Sequence, residues 1–304
     1  MNPTPAILTL TGNLLWERTL DFPAWAPGRT QRATGDSFQV GGKGINVAKM
    51  LRRLGAPSRA LCFTGGATGD DCAAWLRAQG FDFHAFASDR PTRLGLVVRG
   101  GAQPETTFFS PDVPPSAEAL RACADYLDAQ PAGGILAICG SIPGWSEPRF
   151  DPLRAALERW MARGTLAVDT YGPPLAWFVA RPVALLKINA TELRSLAPAA
   201  PAGLSAPALI DALAAEPGRW AVRAWIVTDG PQPVWFREAT LPARSVQPPK
   251  VHEVSPTGSG DVLLAGLLHA HFGQRLSLAE ALAYAMPLAA ANAAHPGVAD
   301  FPLP

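Results

Sequence analysis

Residues 254–270 read VSPTGSGDVLLAGLLHA. A Gly-Ser-Gly turn stands directly before an aspartate, and an apolar run follows it. Gly258 and Gly260 have no Cβ, so backbone N–H groups can converge on a ligand there. If residues 262–270 form a helix, those N–H groups sit at its N-terminus, where partial positive charge favours anions. Gly258, Ser259 and Gly260 would then form an anion hole, with Asp261 at its rim. A carboxylate in that position suits a base that deprotonates a hydroxyl while a phosphoryl group is held nearby. An aspartate capping a helix after a glycine-rich loop explains the same letters equally well.

A second glycine cluster opens another amphipathic pattern. Residues 41–55 read GGKGINVAKMLRRLG. Gly41, Gly42 and Gly44 permit close backbone approach, and Asn46 offers both a donor and an acceptor. GxxxxGK[ST] is absent, so a Walker-type phosphate loop is excluded.

Together these segments resemble the PfkB family of carbohydrate kinases, also called ribokinase-like. GGKGINVAKMLRRLGA with FTGGATGDD (63–71) is similar to that family's N-terminal signature, and SPTGSGDVLLAGLL to its C-terminal one. GSIPG (140–144), VDTYG (168–172) and KINATEL (187–193) fall between them in the family's order. Within the family, the opening LTLTGNLLWERT and the GINVA form look most like the phosphosugar branch, which includes 1-phosphofructokinase and tagatose-6-phosphate kinase.

The resemblance implies an α/β fold of three layers, with a mostly parallel central sheet flanked by helices. It also implies a small β-sheet lid from segments near 13–40 and 92–110, all within a single kinase domain over 1–304. The activity implied is transfer of the γ-phosphoryl of ATP, with Mg²⁺, to a hydroxyl of a phosphorylated ketose. Asp261 is the expected base. Lys187, Asn189, Glu192, Thr228, Gly230 and Asn292 are the expected nucleotide side, with Glu192 holding Mg²⁺ through water. Glu17, Gly41, Gly42, Lys43, Asn46 and Ser141 are expected at the sugar, and Arg29, Arg32 and Arg93 with Ser141 at its phosphate. Arginine suits that role because its planar fork binds phosphate oxygens in pairs.

The chain departs from the family pattern in places. Glu17 stands where an aspartate usually grips sugar hydroxyls, Pro233 near a usual glycine, and Ser255-Pro256 where Asp/Ser-Thr is usual. These leave a second expectation open, a kinase of an unphosphorylated sugar or nucleoside. A non-catalytic sugar or nucleotide binder that keeps the fold for regulation is a third.

Composition narrows the class. The 304 residues are 48% hydrophobic and 17% charged, which describes an ordinary globular chain. Lys+Arg number 26 against 25 Asp+Glu, so no global field invites nucleic acid or membrane. Cys62, Cys72, Cys123 and Cys139 show neither metal spacing nor a disulfide framework, which fits a reducing cytoplasmic setting. A homodimer through the lid is the partner expectation, by resemblance.

Strand–helix alternation is legible along the chain. Strands are expected at 6–11, 60–63, 134–139, 166–169, 184–188 and 225–228, and helices at 71–79, 148–163, 174–179 and 191–196. Near-continuous apolar strands suit a parallel sheet covered on both faces. A helix over 279–294 is expected to be interrupted by Pro287.

Overall fold

The computed structural model describes residues 7–101, 103–216, 220–238 and 241–304. Its strands are β1 (Ile7–Thr11), β2 (Leu15–Phe22), β3 (Gly35–Gly41), β4 (Ser58–Thr64), β5 (Phe83–Ala87), β6 (Arg93–Gly100), β7 (Gln103–Phe109), β8 (Ile135–Cys139), β9 (Thr165–Asp169), β10 (Leu185–Asn189), β11 (Ala224–Thr228), β12 (Val234–Glu238) and β13 (Arg244–Val246). The helices are α1 (Lys43–Arg53), α2 (Gly66–Ala78), α3 (Ala117–Asp128), α4 (Asp151–Arg163), α5 (Pro173–Val179), α6 (Ala190–Ser195), α7 (Ala206–Ala215), α8 (Ser259–Leu267) and α9 (Leu278–Ala293).

The main sheet runs β13-β12-β11-β10-β9-β8-β1-β4-β5. Strands β11 to β5 along that order pair in parallel, and β12 and β13 add an antiparallel edge. The reason is visible in β8, whose five residues are all buried. Leu136 and Ile138 join the core beneath α3, α4 and α5. Ile135, Ala137 and Cys139 join the core beneath α1, α8 and α9. Successive side chains point to opposite faces, so a strand covered twice must be apolar throughout. This is the expected three-layer α/β architecture.

A separate four-stranded sheet, β3-β2-β6-β7, is built from the two segments set apart in the sequence. It is anchored where Leu14, Val40, Ile45, Cys72 and Leu76 share a small core with α1 and α2.

One expectation fails at Pro287. Helix α9 runs unbroken through it from Leu278 to Ala293. Proline removes one N–H from the ladder. Burial of Leu282, Ala285, Met286 and Leu288 against α8 holds the rest in line.

Candidate active site

Thr11, Cys139 and Asp169 lie side by side in register, as do Asn189 and Thr228. All five end parallel strands. Open α/β sheets bind ligands beyond such carboxyl ends. A cavity of about 720 Å³ opens there, with Leu15 and Arg93 of the small sheet on its wall.

Asp261 lines this cavity and is buried. Helix α8 begins at Ser259, three residues earlier than the sequence suggested, so Asp261 sits inside the first turn. The cap is Gly258, and no side chain caps the helix. The capping explanation of Asp261 is therefore overturned. Gly258 is left-handed, with φ 77°, and a Cβ there would meet Val298 Cγ1 at 2.2 Å. Gly258 and Gly260 line the cavity. Ser259 does not: its N–H returns to the Pro256 carbonyl at 3.2 Å, and its hydroxyl accepts from Asn292 Nδ2 at 3.1 Å. Two of the three residues expected to form an anion hole therefore face the cavity.

Asn46 lines the cavity too and donates from Nδ2 to Asp261 Oδ2 at 2.7 Å. Burial raises the Asp261 carboxyl from 3.8 to about 6, against the pull of Lys43 and the Asn46 hydrogen bond. A base poised near neutrality is what proton abstraction needs.

Behind Asp261 lies a charged cluster. Asp169 Oδ1 accepts from Lys43 Nζ at 2.6 Å, and Oδ2 from Lys187 Nζ at 2.5 Å. Burial would raise Asp169, but the two ammonium groups outweigh it and hold its pKa below the ordinary value. Burial likewise opposes the Lys43 charge, yet Asp169 and Asp261 hold its pKa above normal. A Cβ at Gly260 would lie 2.9 Å from Lys187 Nζ, so glycine there lets the lysine reach the anion turn. Asp169 was not singled out from the sequence. Its signal was an aspartate closing an apolar strand at the sheet's carboxyl edge.

Asn189 and Glu192 form a capping box on α6. Asn189 Oδ1 accepts from the Glu192 N–H, and Glu192 Oε2 from the Asn189 N–H, both at 2.8 Å. Both residues, with Thr228, also line the cavity. Partial burial raises the Glu192 carboxyl, opposed by that backbone hydrogen bond. Gly230 is exposed and does not line the cavity.

The acceptor wall differs most from expectation. Gly42, Lys43, Arg93 and Ser141 line it, joined by Asn13 and Asp112, which the sequence did not flag. Gly41 is buried beside Leu15 and Glu17 and does not line the cavity. Glu17 is likewise off the wall, its carboxylate taken by Gln39 Nε2. Leu15 holds the place expected of it, because alternate residues of β2 share a face and Leu15 lies one pair closer to the sheet's root. Arg29 and Arg32 are exposed in the link between β2 and β3 and do not line the cavity.

Asn292 is also relocated. It is 1% exposed and does not line the cavity. Its Nδ2 donates to the Thr257 carbonyl at 2.9 Å, and its Oδ1 accepts from the Ala299 N–H at 2.8 Å. It braces the Thr257–Ser259 turn from behind.

Comparisons with known proteins bear on the family and the fold. A family model described as "pfkB family carbohydrate kinase" matches residues 11–304. The 1-phosphofructokinase of Xanthomonas campestris is 31% identical over 86% of this chain and 82% of its own length. That of Borreliella burgdorferi is 28% identical over 88% and 85%. Phosphofructokinase-2 of Escherichia coli, solved with potassium, superposes with a TM-score of 0.86 at 24% identity, over 97% of this chain and 94% of that one. A ribokinase of Thermotoga maritima gives 0.75 at 17% identity, over 98% and 96%.

Proposed function

Because the chain belongs to the pfkB family of carbohydrate kinases, we propose that it transfers the γ-phosphoryl of ATP to a hydroxyl of a phosphorylated ketose, as a 1-phosphofructokinase does. The observation that carries this reading is a buried Asp261, raised to about 6, in the first turn of α8 beside a left-handed glycine cap and Lys187.

Asp261 takes the proton of the attacking hydroxyl, a role worth roughly 10²–10⁴-fold. Asn46 holds one carboxylate oxygen and leaves the other for the hydroxyl. The Gly258 and Gly260 amides and Lys187 receive the charge that develops on the transferred group. Asp169 fixes both lysines, so neither must reorganise during transfer. Among the described residues no group of three or more His, Cys, Asp or Glu could hold a metal. That fits a Mg²⁺ bound chiefly by phosphate and water, with Glu192 and Asn189 reaching it through water. Its chemistry would be charge neutralisation on the phosphates. The small sheet is read as a lid that excludes water, and a second copy pairing through it is the partner reading.

One observation favours a second reading, an unphosphorylated sugar. Arg93 is already ion-paired with Asp112. An ADP-release screen over fructose 1-phosphate, fructose 6-phosphate, tagatose 6-phosphate, fructose, ribose and adenosine separates the two. Preference for a phosphorylated ketose supports the first reading, preference for a free sugar the second. No ADP release with any of them counts against kinase activity itself.

A further inference from the structure

We infer that Asp112 is a specificity-determining residue that competes, inside the acceptor site, for the arginine a substrate phosphate would use. The inference rests on the sugar-kinase reading and deepens it.

Arg93 reaches the cavity from the first residue of β6, and its side chain is only 15% exposed. Its guanidinium lies over the Phe109 ring, 5.0 Å from the centroid. That packing limits where its charge can point. Its Nη1 points at Asp112 Oδ1, 3.1 Å away. The same oxygen accepts from Asn13 Nδ2 at 2.8 Å, and Asn13 Nδ2 also donates to Ser141 Oγ at 2.9 Å. Two polar side chains of the acceptor wall, Arg93 and Asn13, therefore converge on one carboxylate oxygen, and Ser141 holds the second of them. An anionic oxygen held by an arginine and an amide is what a bound phosphate would present.

Asp112 also stands between two spaces. It lines the main cavity and an adjoining chamber of about 440 Å³, together with Ser141 and Tyr171. Its side chain is 54% exposed. The Asp112 end of the pair is open to solvent, which screens it, so the carboxylate can swing away when a dianion arrives. Closed, the pair presents a balanced, hydroxyl-accepting surface to a neutral sugar. Open, it gives Arg93 and Asn13 to phosphate at the cost of breaking the pair. Asp112 thus narrows the gap between phosphorylated and free acceptors.

The test uses the full chain and the matched pair fructose 1-phosphate and fructose, with affinities from titration calorimetry and turnover from ADP release. Asp112→Asn keeps the shape and the acceptor for Asn13 while removing the charge. The ratio of fructose 1-phosphate to fructose affinity should rise roughly 5-fold in Asp112→Asn, the upper end for a pair with one solvent-exposed partner. In the Arg93→Ala background the same change should move the ratio by less than about twofold. An unchanged or lower ratio in Asp112→Asn, or an equal gain in both backgrounds, overturns the proposal. Binding is read apart from turnover, so a wild type that releases no ADP refutes the kinase reading while the affinity ratio still judges Asp112.

Discussion

Asn46 Nδ2 holds Asp261 Oδ2 at 2.7 Å, joining the two glycine motifs across 215 residues of chain. Both residues are set by helix starts. Asn46 lies in the first turn of α1, and Asp261 in the first turn of α8. The packing of α1 on α8 in the shared core brings them together.

This contact makes a pH prediction. Asp261 titrates near 6, so kcat/KM should climb as pH rises through that value and the carboxylate forms. The Asn46 hydrogen bond lowers that pKa, so Asn46→Ala should move the acid limb upward by a measurable fraction of a pH unit. A limb near 4 in wild type, or one that stays fixed in Asn46→Ala, would detach Asp261 from the rate.

Glu192→Gln separates capping from metal binding. Glutamine keeps a capping box, so α6 should form and the melting temperature should hardly change. Loss of the carboxylate should raise the Mg²⁺ concentration for half-maximal activity, by about tenfold if water-mediated contact is lost. An unchanged Mg²⁺ titration would make Glu192 a helix cap alone.

The sequence carried the strands of the parallel sheet and the glycine turn in front of Asp261, because strand burial and glycine turns leave periodic, local marks. The site's outer wall was less legible. Asp112 and Asn13 reach it by long-range pairing, 99 residues apart, and no local pattern encodes that. Glu17 was misplaced because one strand pair decides whether a side chain reaches the cavity or stops at Gln39. Asn292 was expected beside the nucleotide and lies against a backbone turn, and a buried amide at a helix end looks the same in sequence in either setting.

Asn292→Ala tests that last point. The change strips the Thr257 carbonyl, the Ser259 hydroxyl and the Ala299 N–H of a partner in a buried setting. A loss of about 1–3 kcal/mol in urea unfolding is expected. kcat should fall more than affinity for ATP, since the turn and not the nucleotide wall is disturbed. A selective rise in KM for ATP with unchanged stability would restore the nucleotide role.

Asp261→Asn has two readouts that move in opposite directions. The folded pKa of Asp261 lies above its ordinary 3.8, so the folded state holds the proton longer. The stability this gives is fully present below about pH 4 and is lost as pH rises through about 6. The amide avoids that loss. The variant should therefore melt several degrees above wild type at pH 8, on the order of 2–3 kcal/mol, and close to it at pH 4.

Turnover of Asp261→Asn is the direct test of the phosphoryl-transfer account. With ATP binding confirmed by calorimetry and the preferred acceptor saturating, kcat should fall roughly 10²–10⁴-fold, because the amide keeps the shape but cannot take the proton. A kcat within about tenfold of wild type would contradict the assignment of Asp261 as the base.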